Sequence, residues 1–528
     1  MMIIAGMASV ILDRENALLH ALALAGLLIL AAAPQALFDI SFQLSFVSVW
    51  TIGSVVLLWA ELQLRPTGKV VKVAHSALLL VIVSLSASLA TGPLVAHYFN
   101  QVSFAGLLAN MVVVPVAGMV IVPIGLASGI VSLFTGHLAL PGLNQFVADG
   151  FISVVTFFAE LPFAEFHPPS PGIVWLCCYA VLLVSLFLIL SSRLRTRLKP
   201  FEYPDRIPVV LRVLAPSSAF MLVLLSAMPL FSSDRAEVCF PDVGQGDSAL
   251  IRLPGNRNIL VDGGGTYDDR FDMGRRVLAP YLWNKGIRRL DLVILSHPHP
   301  DHMNGLKFVL QKFEVAEIWS HGQDLELPGY GDLRQIAAGR NIMHRTVTAG
   351  DPSVFFGPAE LRVLHPAPGF RSPERKGYAA ENDRSLVVRV RLDSQVMLFT
   401  GDIGKGGEQS LLRSGEVKCD LIKIAHHGSK SSSSPDFVQA AHPQLAVVSV
   451  GRGNRYHHPS EMVLAEYERT GARILRTDQN GSICIETDEG GFRERRWSDR
   501  ELKRIGMNGE RAAEQENWKR VWLSIREL

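Results

Sequence analysis

Cysteine is scarce in this chain, at 5 of 528 residues. The number is odd and no C-x-x-C spacing occurs, so neither a disulfide framework nor a zinc ribbon is indicated. Cys177 and Cys178 fall inside an apolar run, where cysteine acts as a small hydrophobe. An excess of charge is missing too. The formal net charge is +2, basic residues alternate with acidic ones, and nucleic-acid binding cannot be argued from charge. The first part of the chain lacks charge almost altogether. Nearly all long apolar runs precede residue 232, and the charged residues concentrate after it, which explains a hydrophobic share of 48% and a mean hydropathy of +0.24. A membrane half is joined to a soluble half.

Apolar runs of spanning length are Ala17 to Ala33, Phe42 to Ala60, Ala77 to Tyr98, Phe104 to Phe134, Phe146 to Leu161, Gly172 to Leu190 and Val209 to Phe231. About 20 apolar residues cross a hydrocarbon core, so about seven spans are expected. Met1 to Leu12 is shorter and is followed by Asp13-Arg14-Glu15-Asn16 without the small-residue cleavage site of a secretory signal. Basic residues gather around Arg14, around Arg65, Lys69 and Lys72, and from Arg193 to Arg206. With seven spans these loops share one side, which assigns that side to the cytoplasm and the soluble half to the outside. Phe104 to Phe134 is too long for one straight span and contains Pro115 and Pro123, so it reads as a kinked helix or a re-entrant pair. Asn110, Pro115 and Pro123 within it are candidates for lining a conduit. His20, Gln43 and His97 read more readily as interhelical hydrogen bonds.

The densest chemistry lies at Leu292 to His302, Leu-Val-Ile-Leu-Ser-His-Pro-His-Pro-Asp-His. A β-branched run delivers His297, His299, Asp301 and His302 into a loop, and Asn304-Gly305 leads to an amphipathic segment ending near Phe313. In an extended loop alternate residues point the same way, so His297 and His299 would share one cation while Asp301 and His302 face a second. Further strands end in Asp242-Val243-Gly244-Gln245-Gly246-Asp247-Ser248 and Asp262-Gly263-Gly264-Gly265, where Asp242 and Asp247 taken singly read as turn residues. Ser385 to Leu392 and Val396 to Thr400 form a hairpin-like pair that ends in Gly401-Asp402, and Asp402 reads as a carboxylate bridging two metals. The strand Asp420 to Ala425 delivers His426-His427-Gly428-Ser429. The serines that follow offer hydroxyls or amides to phosphate oxygens.

The pattern H-x-H-x-D-H resembles the signature of the metallo-β-lactamase superfamily. Joined to the membrane half, and with Asp242 to Ser248, Glu381-Asn382-Asp383-Arg384-Ser385-Leu386, Thr400-Gly401-Asp402-Ile403, His426 to Ser429 and Phe42-Gln43-Leu44-Ser45-Phe46, the chain resembles the ComEC-type DNA internalisation proteins of natural competence. The resemblance implies an α-helical polytopic domain at 1–231, an α/β metallo-β-lactamase domain with αββα layering at 232–492, and a charged tail at 493–528. It implies residence in the inner (plasma) membrane, with single-stranded DNA, the lipid bilayer and other competence-machinery proteins as partners, and it leaves room for a homo-oligomer. Family members usually carry a further N-terminal region with an OB-like domain and extra spans, so the chain reads as a shortened version.

The expected chemistry is phosphodiester hydrolysis with two divalent cations, zinc or manganese, about 3.5 to 4 Å apart. His297 and His299 would hold one; Asp301, His302 and His458 the other; Asp402 would bridge. His426 or His427 would bind a phosphoryl oxygen or protonate the leaving group, with Ser429 and Asn382 beside them. The superfamily's third histidine has no clear counterpart; His365 and the Asn382-Asp383 pair are the candidates. The alternatives are a membrane-tethered hydrolase of a small ester or nucleotide, and a non-catalytic channel component.

Overall fold

The computed structural model describes residues 17–62, 68–137, 140–162, 164–198, 208–227, 236–267, 271–322, 329–373, 378–488 and 491–495. The chain divides into two compact units, Met1–Ser232 and Ser233–Leu528.

Among the described residues of the first unit, 6 helices are long and apolar enough to cross a membrane: Ile40–Glu61, Lys69–Phe99, Ala105–Thr135, Pro141–Ala159, Ile173–Arg197 and Val209–Ala227. The run expected at Ala17 to Ala33 forms a shorter helix, Ala17–Ala32, of 16 residues. Ala105–Thr135 is continuous. Its sequence break is absorbed by one π-turn, Ala117–Ile121, directly after Pro115, whose missing N–H cannot close the regular ladder. Asn110 and Pro115 are half-buried on this helix and Pro123 is exposed. Of the polar groups at membrane depth, Gln43 is bonded between two helices, whereas His97 meets a loop carbonyl and Asp39 caps its own helix. Tyr98 donates to Gln43 Oε1 at 3.0 Å, His97 Nδ1 lies 2.7 Å from the Pro171 carbonyl, and Asp39 caps its helix through Ser41 N at 2.7 Å. Arg195 and Glu61 form an ion pair of 2.8 Å between two of the long helices.

The second unit is a four-layer αββα sandwich. One sheet of 8 strands runs Met343–Thr346, Glu317–Ser320, Leu292–Ile294, Arg257–Val261, Ala249–Leu253, Glu237–Phe240, Ile483–Asp488, Gly491–Arg495. The other, of 7 strands, runs Val354–Phe356, Ala359–His365, Val387–Leu392, Gln395–Phe399, Leu421–Lys423, Leu445–Val448, Arg473–Arg476. Strand periodicity builds the layers. Ile259 and Val261 face the inter-sheet core with Ile294, Val388, Phe399 and Val447, whereas Leu260 and Val293 face the helices Ala279–Asn284, Pro300–Lys312 and Tyr330–Gly339. On the far side Ile422, Ala446 and Val448 meet Leu411, Phe437 and Tyr467. Strands buried on both faces read in sequence as unbroken apolar runs, and that is how these strands were legible.

Glu314–Val315 pairs with Arg289–Leu290, and Glu317–Ser320 joins the large sheet. Two expectations change. The helix expected after Asn304-Gly305 begins at Pro300, so Asp301 and His302 occupy its first turn. Proline suits that position because the first N–H of a helix has no partner in any case. Finally, Cys239 and Cys484 are disulfide-bonded. They face each other in an antiparallel pair, Cys484 opposite Cys239, 245 residues apart in sequence, a separation that cysteine counting does not reveal. Of the expected tail, 493–495 belong to the strand Gly491–Arg495, and Trp497, Trp518 and Trp522 lie outside the described residues.

Candidate metal centre

The strand Leu292–Ile294 ends in the interior, and the loop after it turns straight into the helix at Pro300. This turn needs close backbone contact. The amide of Gly305 donates to the Gly264 carbonyl at 2.9 Å and the amide of Gly263 to the His302 carbonyl at 2.7 Å. A Cβ at Gly305 would overlap the Gly263 carbonyl, so glycine is required there. His297, His299 and His302 are thereby buried side by side, with ring centroids 4.4 Å apart for His297 and His299 and 4.1 Å for His297 and His302.

Asp402 arrives from the other sheet, after Gln395–Phe399. His302 Nε2 stands 3.3 Å from Asp402 Oδ1 and His427 Nε2 3.6 Å from Asp402 Oδ2. His427 Nε2 is also 3.4 Å from Asp301 Oδ2, and His426 Nε2 is 3.8 Å from Asp402 Oδ2. The Nε2 atoms of His297, His299, His302 and His427, with Asp301 Oδ1, Asp402 Oδ1 and Asn382 Oδ1, are buried and make no hydrogen bond. Buried polar atoms without partners are costly and call for an explanation. A divalent cation supplies one here, because neutral imidazole nitrogens and carboxylate oxygens are its natural ligands. Ligand atoms of Asp247, His302, Asp402 and His427 all lie within 4.8 Å of one another.

The ring orientations are fixed from behind. His302 Nδ1 donates to Asp262 Oδ2 at 2.9 Å, and Asp262 is itself held by Ser296 N at 2.8 Å and Ser296 Oγ at 2.7 Å. His427 Nδ1 donates to the Ser449 carbonyl at 2.9 Å. Both contacts leave Nε2 with its lone pair directed inward. Electrostatics follows the same map. Burial alone would raise Asp402, but the imidazoles of His302, His427 and His426 outweigh it and hold the carboxyl well below its usual range. Burial would lower His302, yet Asp402 and Asp262 raise it well above the ordinary imidazole value. Burial pushes His297 well down and His299 to about 4.

Several expected residues take other positions. His458 is half-buried, is absent from the converging group, and its ring lies 6.1 Å from His426. His427 reaches Asp301 and Asp402 in its stead. His365 Nε2 donates to the Asp383 carbonyl at 2.7 Å, and the Asp383 carboxylate accepts from Ser372 Oγ at 2.6 Å, so both shape the turn that presents Asn382. The serine run is largely engaged: the amides of Ser433 and Ser434 donate to Glu408, the latter at 2.9 Å, and Ser432 Oγ donates to the Ala425 carbonyl at 3.0 Å. Ser429 and Ser431 remain at the surface beside His426, whose Nδ1 lies 3.0 Å from Ser431 Oγ.

Sequence reasoning missed Asp247, Asp262 and Lys423. The Asp247 carboxylate is in contact with the buried Lys423 amine, which also lies 3.7 Å from Asp402 Oδ1 and donates to the Gly401 carbonyl at 3.1 Å. Burial lowers Lys423 to about 7, and the two carboxylates beside it favour its charged form. A lysine at the end of a buried apolar strand was the available signal. Asp242, by contrast, accepts from Gly244 N at 3.1 Å and is the turn residue it resembled.

Comparison with known proteins agrees with this architecture. Residues 1–193 match the competence protein family, and residues 241–452 match the metallo-β-lactamase superfamily. ComE operon protein 3 of Bacillus subtilis is 30% identical over 88% of this chain and 57% of its own length. Competence protein ComA of Neisseria gonorrhoeae is 28% identical over 78% of this chain and 52% of its own. Recombination protein 2 of Haemophilus influenzae is 25% identical over 74% of this chain and 48% of its own. The chain thus spans about half the length of the curated relatives it matches. One chain thus joins a region that matches the competence protein family to one that matches the metallo-β-lactamase superfamily, the combination in which it is similar to the ComEC-type competence proteins.

Proposed function

We propose that the protein moves single-stranded DNA across the plasma membrane, and that its soluble unit is a metal-dependent phosphodiesterase acting on that strand at the outer face. The observation that carries the chemistry is the convergence of unpartnered imidazole nitrogens and carboxylate oxygens around Asp402. His297, His299 and Asn382 would hold one divalent cation, Asp301, His302 and His427 a second, with Asp402 shared between them. Bound zinc or manganese would supply a water of lowered pKa and neutralise charge that develops on the phosphodiester. The chain's own residues do the rest. Asp262 and the Ser449 carbonyl keep His302 and His427 in the ligating tautomer. His426, only partly covered, is open to a phosphoryl oxygen, with Ser429 and His458 on the same side.

The outer-face assignment has separate support. The Cys239–Cys484 disulfide belongs to an oxidising compartment, and the basic loops point the same way. The decisive experiment is cleavage of single-stranded DNA by the purified protein in Mn²⁺ or Zn²⁺. Asp402→Ala is expected to lower the rate at least about a hundredfold, in the range of losses when one electrostatic stabiliser is removed from an active site. Intact DNA in both metals would overturn the phosphodiesterase reading. For transport, deletion in a naturally competent host should abolish transformation, and unchanged uptake would overturn it.

A further inference from the structure

Two lines of aromatic side chains approach the metal centre from solvent. In the first, Tyr267 meets Tyr378 edge-on at 6.3 Å, and Tyr378 meets His299 edge-on at 4.6 Å. In the second, the Arg455 guanidinium covers the Tyr456 ring at 4.9 Å, Tyr456 stacks on His458 at 5.8 Å with the planes 18° apart, and His458 lies 6.1 Å from His426. One line ends at His299 and the other at His426, both at the metal centre.

These rings are not core. Tyr378 is 61% exposed, Tyr267 51% and Tyr456 44%, whereas the tyrosines that build the core, Tyr281, Tyr330 and Tyr467, are 1% exposed or less. Large exposed aromatic rings mark contact surfaces. Flat π-faces with a guanidinium among them suit other flat π-systems joined by an anionic backbone, which is the chemistry of a nucleic-acid strand. Duplex bases stack on one another and keep their faces covered; only unpaired bases offer a free face.

We propose that Tyr267 and Tyr378 on one side, and Tyr456 with Arg455 on the other, stack the unpaired bases of a single strand and lay its backbone across the metal centre. This rests on the phosphodiesterase reading and adds to it a preference for single strands that carry bases. Sequence preference is not expected, because every base has a π-face.

The test uses the full chain in detergent, stripped of metal so that no cleavage occurs, with two fluorescent oligonucleotides of about 15 nucleotides, within the reach of common single-strand sites. One is oligothymidine and the other its abasic counterpart. By anisotropy the wild type should bind oligothymidine at least about tenfold more tightly, since each stacked base contributes about 1–3 kcal/mol. The double variant Tyr378→Ala, Tyr456→Ala should bind both within about twofold, while Tyr378→Phe, Tyr456→Phe, which keeps the rings, should restore the preference. A wild type indifferent to bases, or an alanine variant that keeps the preference, overturns the proposal. Cleavage in Mn²⁺ is scored separately. DNA cut without base preference sinks the stacking alone, and base preference without cutting supports the stacking and sinks the phosphodiesterase.

Discussion

Asp262 shows how much one side chain outside the ligand set can decide. It accepts from Ser296 and from His302 Nδ1, so it fixes the imidazole whose Nε2 faces Asp402. Asp262→Asn would offer an amide where a carboxylate is needed, and removal of such supporting partners typically costs 10- to 100-fold in metal affinity. Metal titration of the apo protein should show a loss of about that size, with the fold retained by circular dichroism. Glu237 illustrates a purely structural charge. It is buried against Lys285 at 3.0 Å and Arg252 at 2.8 Å. Burial would raise it, but these two cations outweigh that and hold it below its usual value of 4.5. A carboxylate with a depressed folded pKa stabilises above its unfolded pKa and loses that contribution as pH falls through the folded value. Glu237→Gln should therefore lower the denaturation midpoint at pH 7 by about 1–3 kcal/mol of stability, and the difference from wild type should shrink below about pH 4.5.

At the scale of an element, the helix Pro300–Lys312 joins the metal centre to the glycine segment behind it. Its first turn presents Asp301 and His302, and its approach to the Gly263–Gly265 segment brings His302 within reach of Asp262. Gly305→Ala, ordinarily a mild gain in a helix, should here cost about 1–3 kcal/mol by overpacking, because the new methyl meets the Gly263 carbonyl. Thermal denaturation checks the sign: a stabilised variant would show that the contact yields. In the membrane unit, the π-turn after Pro115 accommodates the proline within one continuous helix, and a re-entrant pair is not formed.

For the whole molecule, the question is which side of the membrane the soluble unit occupies. The disulfide predicts the outside. In intact cells a membrane-impermeant maleimide should leave Cys239 and Cys484 unlabelled before reduction, and label them after reduction and unfolding at the outer surface. No labelling of intact cells even after reduction and unfolding, with labelling of both only once the membrane is permeabilised, would place the unit inside the cell.

Local pattern was enough for some of this. A run of apolar residues long enough for the bilayer declares a span, and unbroken β-branched runs declare strands buried on both faces. His297, His299, Asp301 and His302 lie within one turn of chain, so their clustering needs no tertiary information. Asp402 and His427 were legible because each follows a buried strand end, where a polar residue is hard to explain otherwise. What tertiary structure decided are the partnerships between distant residues. The exchange of His458 for His427 beside Asp301, the engagement of His365 and the serine run in backbone contacts, the Lys423–Asp247 pair, and the joining of Cys239 to Cys484 all depend on which strand ends meet when two sheets close on each other. Sequence spacing holds no record of that meeting, because the packing that creates it is the sum of contacts between faces rather than a property of any one segment.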